Sequence, residues 1–151
     1  MICVTVGTHQ QPFQRLLDAL TDLPPDELVV QFGYGSPPPG VARASAFMSF
    51  SETLDHISKA DVVVTHAGVG SILCARRVGH VPIVVPRLRR YGEHVDDHQA
   101  ELTRALAEEG LVVPVWDTDR LTEALEPMPR WSAPSPTPNG RLQRAVREAL
   151  L

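Results

Sequence analysis

The sequence predicts an α/β protein built on one doubly wound parallel sheet. Short apolar runs rich in β-branched residues alternate with stretches of helical periodicity, the pattern of strands joined by crossover helices. Residues 61–65 (DVVVT) then form an unbroken apolar run, as expected of a central strand covered on both faces. The 151-residue length suits one domain and can bury a sizeable core without disulfide or metal staples.

The elements follow in order. Residues 2–6 form a strand that runs into a turn at Gly7. Phe13, Leu16, Leu17 and Leu20 make a helical stripe over residues 12–20, with Pro12 in the first turn. Residues 28–32 are a second strand, and 33–40 (GYGSPPPG) a loop, because consecutive prolines deny backbone donors. A short strand lies within 44–50. Ser51 is the expected N-cap of a helix over 52–59 that turns Leu54, Ile57 and Ser58 inward. After the strand at 61–65 comes HAGVGS (His66 to Ser71), then a helix to Val78 that stops at Gly79. Residues 81–85 are a buried strand closed by Pro86, and 87–93 (RLRRYGE) a loop. A helix over 94–109 carries Val95, Leu102, Ala105 and Leu106 and ends at Gly110. Residues 111–115 are the last strand, and Thr118 caps a short helix with Leu121 and Leu125. These parts make one Rossmann-like domain over residues 1–126. Residues 127–140 hold five prolines and read as a connector, and 141–151 as a final helix with Leu142, Val146, Ala149 and Leu150 on one side.

Composition narrows the function. There are 14 basic and 18 acidic residues, a net charge of −4, which argues against nucleic-acid binding. Two cysteines, Cys3 and Cys74, are too few for a disulfide scaffold, and both lie in apolar runs where a thiol is usually a buried small hydrophobe. No run approaches the roughly 20 apolar residues of a membrane helix, and the apolar start is too short for a signal peptide, so a cytoplasmic location is expected.

Ligands of open α/β sheets bind beyond the carboxyl ends of the strands. Three loops fall there, 7–11, 66–71 and 87–99, and they hold four of the six histidines: His9, His66, His94 and His98. In HAGVGS, Gly68 and Gly70 let backbone approach a ligand, and the following helix N-terminus offers free N–H groups to an anion. Ser71 caps that helix or meets a phosphate oxygen; the competing reading is a tight strand-to-helix turn and nothing more. VGTHQQP has only Gly7 where a dinucleotide fingerprint needs G-x-G-x-x-G, and there is no Walker A sequence. In EHVDDHQ, His94 and His98 fall at i, i+4 on the expected helix, a spacing open to a metal, but no third ligand is evident and metal is not the expectation. The acidic residues there also suit dipole compensation, while Asp97, His98 and Gln99 offer the hydrogen bonds that sugar hydroxyls need. Arg87, Arg89 and Arg90 read equally as a solvated loop, a partner contact or an anion clamp.

In combination, V-T-V-G-T near the start, A-D-V-V-V-T-H-A-G-V-G-S in the middle, and then V-P and D-D-H-Q resemble the C-terminal, donor-binding domain of family 28 glycosyltransferases over residues 1–126. The likeness extends to small subunits of two-component enzymes in bacterial exopolysaccharide and capsule synthesis and in eukaryotic dolichol-linked GlcNAc transfer. The resemblance implies one half of a GT-B fold binding a UDP-sugar, with neither metal nor other cofactor. It places Gly7 and Thr8 at the diphosphate and His66, Gly68, Gly70 and Ser71 along the phosphate and sugar. Asp97, His98 and Gln99 would meet the hexose and Phe50 the base; apart from the resemblance, Arg87 is a further candidate contact to the donor. Cys74 stands where many relatives carry a ribose-binding Glu. His66 would support the leaving diphosphate, and His9 is the one local candidate for a base.

A chain of this size is expected to leave the acceptor to a second nucleotide-fold domain outside it. The implied arrangement is a membrane-associated partner subunit presenting a lipid-linked glycan acceptor, with any attachment at the inner membrane coming through that partner. Glucuronate, galactose, glucose and N-acetylglucosamine all suit the motif, and the arginines at 87, 89 and 90 would favour a carboxylate sugar. The competing class is a non-catalytic nucleotide-binding regulatory module. A third, an epimerase or hydrolase, normally has both domains on one chain.

Overall fold

The structure is a computed structural model, and it describes residues 1–126. The proposed connector at 127–140 and helix at 141–151 lie outside the described residues.

Six strands form one all-parallel sheet: β1 (Ile2–Thr5), β2 (Leu28–Gln31), β3 (Arg43–Ser45), β4 (Val62–His66), β5 (Ile83–Val85) and β6 (Val113–Pro114). Their order is β3-β2-β1-β4-β5-β6. The order reverses between β1 and β4, so the loops leaving those two strands diverge and open a crevice at the carboxyl edge.

Alternation along each strand sorts the core onto two faces. Val4 and Val6, Val62 and Val64, and Ile83 and Val85 point to one face. There they pack on Phe13, Leu16, Leu17 and Leu20 around α1 (Gln14–Ala19) and on Leu121 of α5 (Leu121–Leu125). Cys3 and Val63 point to the other face with Ile57 of α2 (Phe50–Lys59) and Ala75 of α3 (Val69–Arg77). Val84 meets Ile72, Leu102 and Leu106 there, the last two from α4 (His98–Glu108). The sheet is therefore covered on both sides, which is why β1, β2, β4 and β5 can be almost wholly apolar. Among the described residues no helix is long and apolar enough to cross a membrane.

The predicted boundaries shift in several places, each for a local reason. Helix α1 starts at Gln14 with Phe13 at its N-cap, so Pro12 precedes it. The cap of α2 is Ser49, not Ser51: Ser49 Oγ accepts from Glu52 N (3.1 Å) and donates to Glu52 Oε1 (3.2 Å). Ser71 does not cap α3 but lies in its first turn, with Gly68 at the N-cap and no side chain covering the end. Asp117, one residue before Thr118, caps the turn leading to α5 by accepting from Asp119 N.

The largest shift is at α4, which begins at His98. His98 N donates to Asp96 Oδ1 and Arg89 N to Asp97 Oδ1, so the two carboxylates bind backbone donors outside a helix and hold residues 94–97 in turns. Val95 is exposed there rather than packed. The last strand is only two residues long. Val113 N and Val115 N donate to Pro82 O and Val84 O of the β5 segment, and Pro114 lies between them.

Candidate functional site

His66 closes β4 and is buried at the reversal point, a residue earlier in the chain path than a loop ligand would be. Its imidazole fills the gap between the two turns that leave β1 and β4. A Cβ on Gly7 would come within 2.5 Å of His66 Nε2, and a Cβ on Gly68 within 2.2 Å of Cε1. Gly7 also takes φ +83°, which an L side chain resists. Both glycines are thus fixed by the ring between them, a stronger reason than turn formation alone. By contrast, a Cβ on Gly70 would meet nothing within 4 Å, so the first turn of α3 faces open space.

Burial holds the His66 ring neutral, pushing its pKa down to about 3, with Arg87, His9 and His94 adding electrostatic pressure in the same direction. Nδ1 is buried and has no hydrogen-bond partner among the described residues. A neutral imidazole of such low basicity offers a hydrogen bond rather than a charge. Below His66 the strands are tied: Thr5 Oγ1 donates to Thr65 Oγ1 (2.9 Å), which donates to His66 O (2.9 Å).

Arg87 departs from every role considered for it. It is 1% exposed, and its guanidinium donates to Val6 O (2.8 Å), Gln11 O (2.7 Å) and Glu93 O (3.2 Å), with the Phe13 ring 4.9 Å away. Burial lowers its pKa to about 10, so it stays charged at neutral pH. It is a strut behind the site, binding the Gly7 turn to the segment after β5. Glu93 completes the strut. Its carboxylate accepts from Arg15 Nε and Nη2 (both 3.0 Å) and from Leu88 N (3.1 Å).

Gln31, the last residue of β2, performs the same service on the other side. Its Oε1 accepts from Val6 N and Gly7 N, and its Nε2 donates to Gly7 O and Ala46 O. Sequence reasoning missed Gln31, Glu93 and Arg15. The available signal was a polar residue ending an apolar strand at Gln31; nothing in the sequence pairs Glu93 with Arg15.

The remaining predicted residues line the rim. Thr8 is exposed beside Gly7. His9 Nδ1 accepts from Gln11 N (3.2 Å), which puts the proton of the neutral ring on Nε2, and its ring lies 4.8 Å from that of His94. Burial and the neighbouring His94 and Arg87 lower the His9 pKa. His94 and His98 do not share a helix face. They bracket Asp96 instead, His94 Nδ1 at 3.0 Å from Oδ1 and His98 Nε2 at 3.6 Å from Oδ2. Asp97 and His98 are exposed, whereas Gln99 is half-buried with Oε1 accepting from Arg87 N (3.0 Å). Phe50 is exposed at the start of α2, and the Tyr34 and Phe47 rings meet edge to face at 5.3 Å. Cys74 packs half-buried against the Ile57 and Ala75 cluster, and burial raises its pKa.

This doubly wound sheet, with a glycine-flanked histidine and an open helix end at its reversal point, is one half of a GT-B glycosyltransferase fold. The chain belongs to the glycosyltransferase family 28 C-terminal domain family, whose model matches residues 1–138. It is 28% identical to a UDP-N-acetylglucosamine transferase subunit ALG13 of Yarrowia lipolytica, over 99% of this chain and 84% of that protein. A protein of the same name from Cryptococcus neoformans is 40% identical over 47% of this chain and 34% of its own length. The solved structure of the glycotransferase of kitacinnamycin has the same fold, with a TM-score of 0.55 and 20% identity over 99% of this chain; the chain spans 39% of that one.

Proposed function

We propose that this glycosyltransferase domain binds a UDP-sugar and, with a partner subunit, transfers its hexose or N-acetylhexosamine to a lipid-linked or glycan acceptor. The observation that carries the reading is the neutral His66 ring wedged between Gly7 and Gly68, in front of the uncapped N-terminus of α3. A donor diphosphate laid there would take hydrogen bonds from the amides at the start of α3, from Thr8, Ser71 and His66, and gain from the helix dipole. The fungal relatives' names, which describe subunits of a UDP-N-acetylglucosamine transferase, support both the donor class and the partner.

In the proposed reaction an acceptor hydroxyl oxygen attacks the anomeric carbon. The bond from that carbon to the β-phosphate oxygen breaks, and the electron pair leaves with UDP. Charge growing on the diphosphate is met by fixed donors, an electrostatic contribution that requires no proton transfer to the leaving group. The acceptor proton must go to a base. His66 is a poor one at a pKa of about 3, and the Nδ1 of His9 is engaged with Gln11 N. The base is therefore assigned to the partner subunit, which also holds the acceptor. Asp97, His98 and the free amide nitrogen of Gln99 face the hexose, and Phe50 the uracil.

Calorimetry with UDP and a panel of UDP-sugars, in the presence of chelator, tests this reading. Binding is expected without metal, with a UDP-sugar preferred over UDP. His66→Ala and Ser71→Ala should each weaken it roughly tenfold or more, the loss expected for a hydrogen bond to a charged group. Unchanged affinity in both variants removes the phosphate site. Equal affinity for UDP and every UDP-sugar would instead favour the regulatory module.

A further inference from the structure

A cavity of about 510 Å³ lies between α4 and the segments that leave the carboxyl ends of β5 and β6. Its volume falls within the roughly 300–1,000 Å³ of small-molecule sites. Asp97, Ala100, Glu101 and Arg104 line one wall, at positions i, i+3, i+4 and i+7, a single helix face. Leu88 and Arg90 come from the segment after β5, and Trp116 from the segment after β6. None of Gly7, His66, Gly68 or Ser71 lines it.

The groups that line it are unusual in what they leave unused. The Arg104 guanidinium lies 5.1 Å from the Trp116 ring, and that of Arg90 lies 4.8 Å from the Tyr91 ring. Among the described residues neither forms an ion pair, so two guanidiniums stand in one cavity with no carboxylate partner. Asp97 spends one oxygen on Arg89 N, and Glu101 lies 3.4 Å from His98 Nδ1, which leaves acceptor capacity on both. The Trp116 indole is partly exposed, and its backbone oxygen accepts from Arg15 Nη1 (3.3 Å).

Each simple ligand leaves part of this set idle. A bare phosphate would use the guanidiniums but be repelled by Asp97 and Glu101 and gain nothing from the indole. A neutral sugar would use the indole and the carboxylates but neither arginine. A pyranose ring bearing a carboxylate uses all of them: its C–H face on the indole, its hydroxyls donating to Asp97 and Glu101, and its carboxylate held by planar guanidiniums. We propose that this cavity is a binding site for a hexuronate unit of a saccharide, adjoining the donor site through Asp97 but lined by none of the residues assigned to the diphosphate.

The test follows the Trp116 indole N–H by NMR in the full chain, its signal identified against Trp131 with Trp116→Phe. The chain is titrated with methyl β-D-glucuronide, with methyl β-D-glucoside and with inorganic phosphate. The glucuronide should shift the signal saturably, the glucoside should bind roughly tenfold more weakly, and Arg90→Gln or Arg104→Gln should erase that preference, as expected on losing a charge-assisted contact. Equal response to glucuronide and glucoside, the same shift from phosphate alone, or no saturable shift at tens of millimolar each overturns the proposal. Failure of UDP-sugar binding with this response intact would count against the donor site only.

Discussion

Two groups of side chains share the carboxyl edge of the sheet and differ in how they are held. Gln31, His66, Arg87 and Glu93 are buried; Gln31, Arg87 and Glu93 are bound to backbone, side chain or both, and His66 is gripped by packing. Thr8, Phe50, Asp97 and His98 stand on the rim, exposed. In the sequence both groups look alike, as polar or aromatic residues in loops or at strand ends. The difference teaches that the inner group sets the shape of the crevice while the rim is left free to touch what enters it. Substitution should therefore separate stability from binding along this line.

The largest effect is expected at Arg87. Arg87→Met strands three backbone carbonyls and removes the tie between the Gly7 turn and the segment after β5, at a cost of about 3 kcal/mol or more. Urea denaturation checks this, and a loss of only a few tenths would put Arg87 on the rim after all. Next comes Gly68→Ala, whose new methyl collides with the His66 ring. About 1–3 kcal/mol should be lost to overpacking, together with donor affinity in calorimetry; an Ala variant of wild-type stability would mean the ring is not wedged.

The pH dependence gives a smaller, graded effect. His66 has a pKa of about 3 in the fold against an ordinary 6.5. Between those values the unfolded chain binds a proton that the folded chain refuses, so stability should decline as pH falls from about 6.5 toward 3 and show no contribution from this group above that window. The lowered pKa values of His9 and His80 slope the same way. Denaturation midpoints across pH should show a shallower decline in His66→Gln, and an identical profile would contradict the burial of the ring. The smallest stability effects belong to the rim. Phe50→Ala and His98→Ala should stay within about 0.5 kcal/mol of wild type yet weaken UDP-sugar binding, and a stability loss without a binding loss in either would move it to the inner group.

The sheet was legible because its code is local. The run at 61–65 and the stripe of Phe13, Leu16, Leu17 and Leu20 carry their periodicity within a few residues, and all four stripe residues are buried. Gly7, His66 and Gly68 stood out in the sequence because each sits at or just beyond the end of a strand. The strut was not, since Arg15 meets Glu93 across 78 positions of sequence and Arg87 reaches Val6 across 81. Arg87 read as a ligand contact because only the fold reveals that three carbonyls have already claimed it. The start of α4 was misplaced for a nearer reason: helical spacing counts apolar residues, and it cannot weigh two aspartates whose side chains hold backbone donors outside the helix.

Pro114 has a consequence for association. In β6 the amides of Val113 and Val115 point inward to the β5 segment, so the alternate position points outward, and there the chain has a proline with no N–H to offer. A seventh strand would find no donor at the centre of that border. Among the described residues β6 is the border strand, and a single ring makes it a poor template for strand addition by another copy.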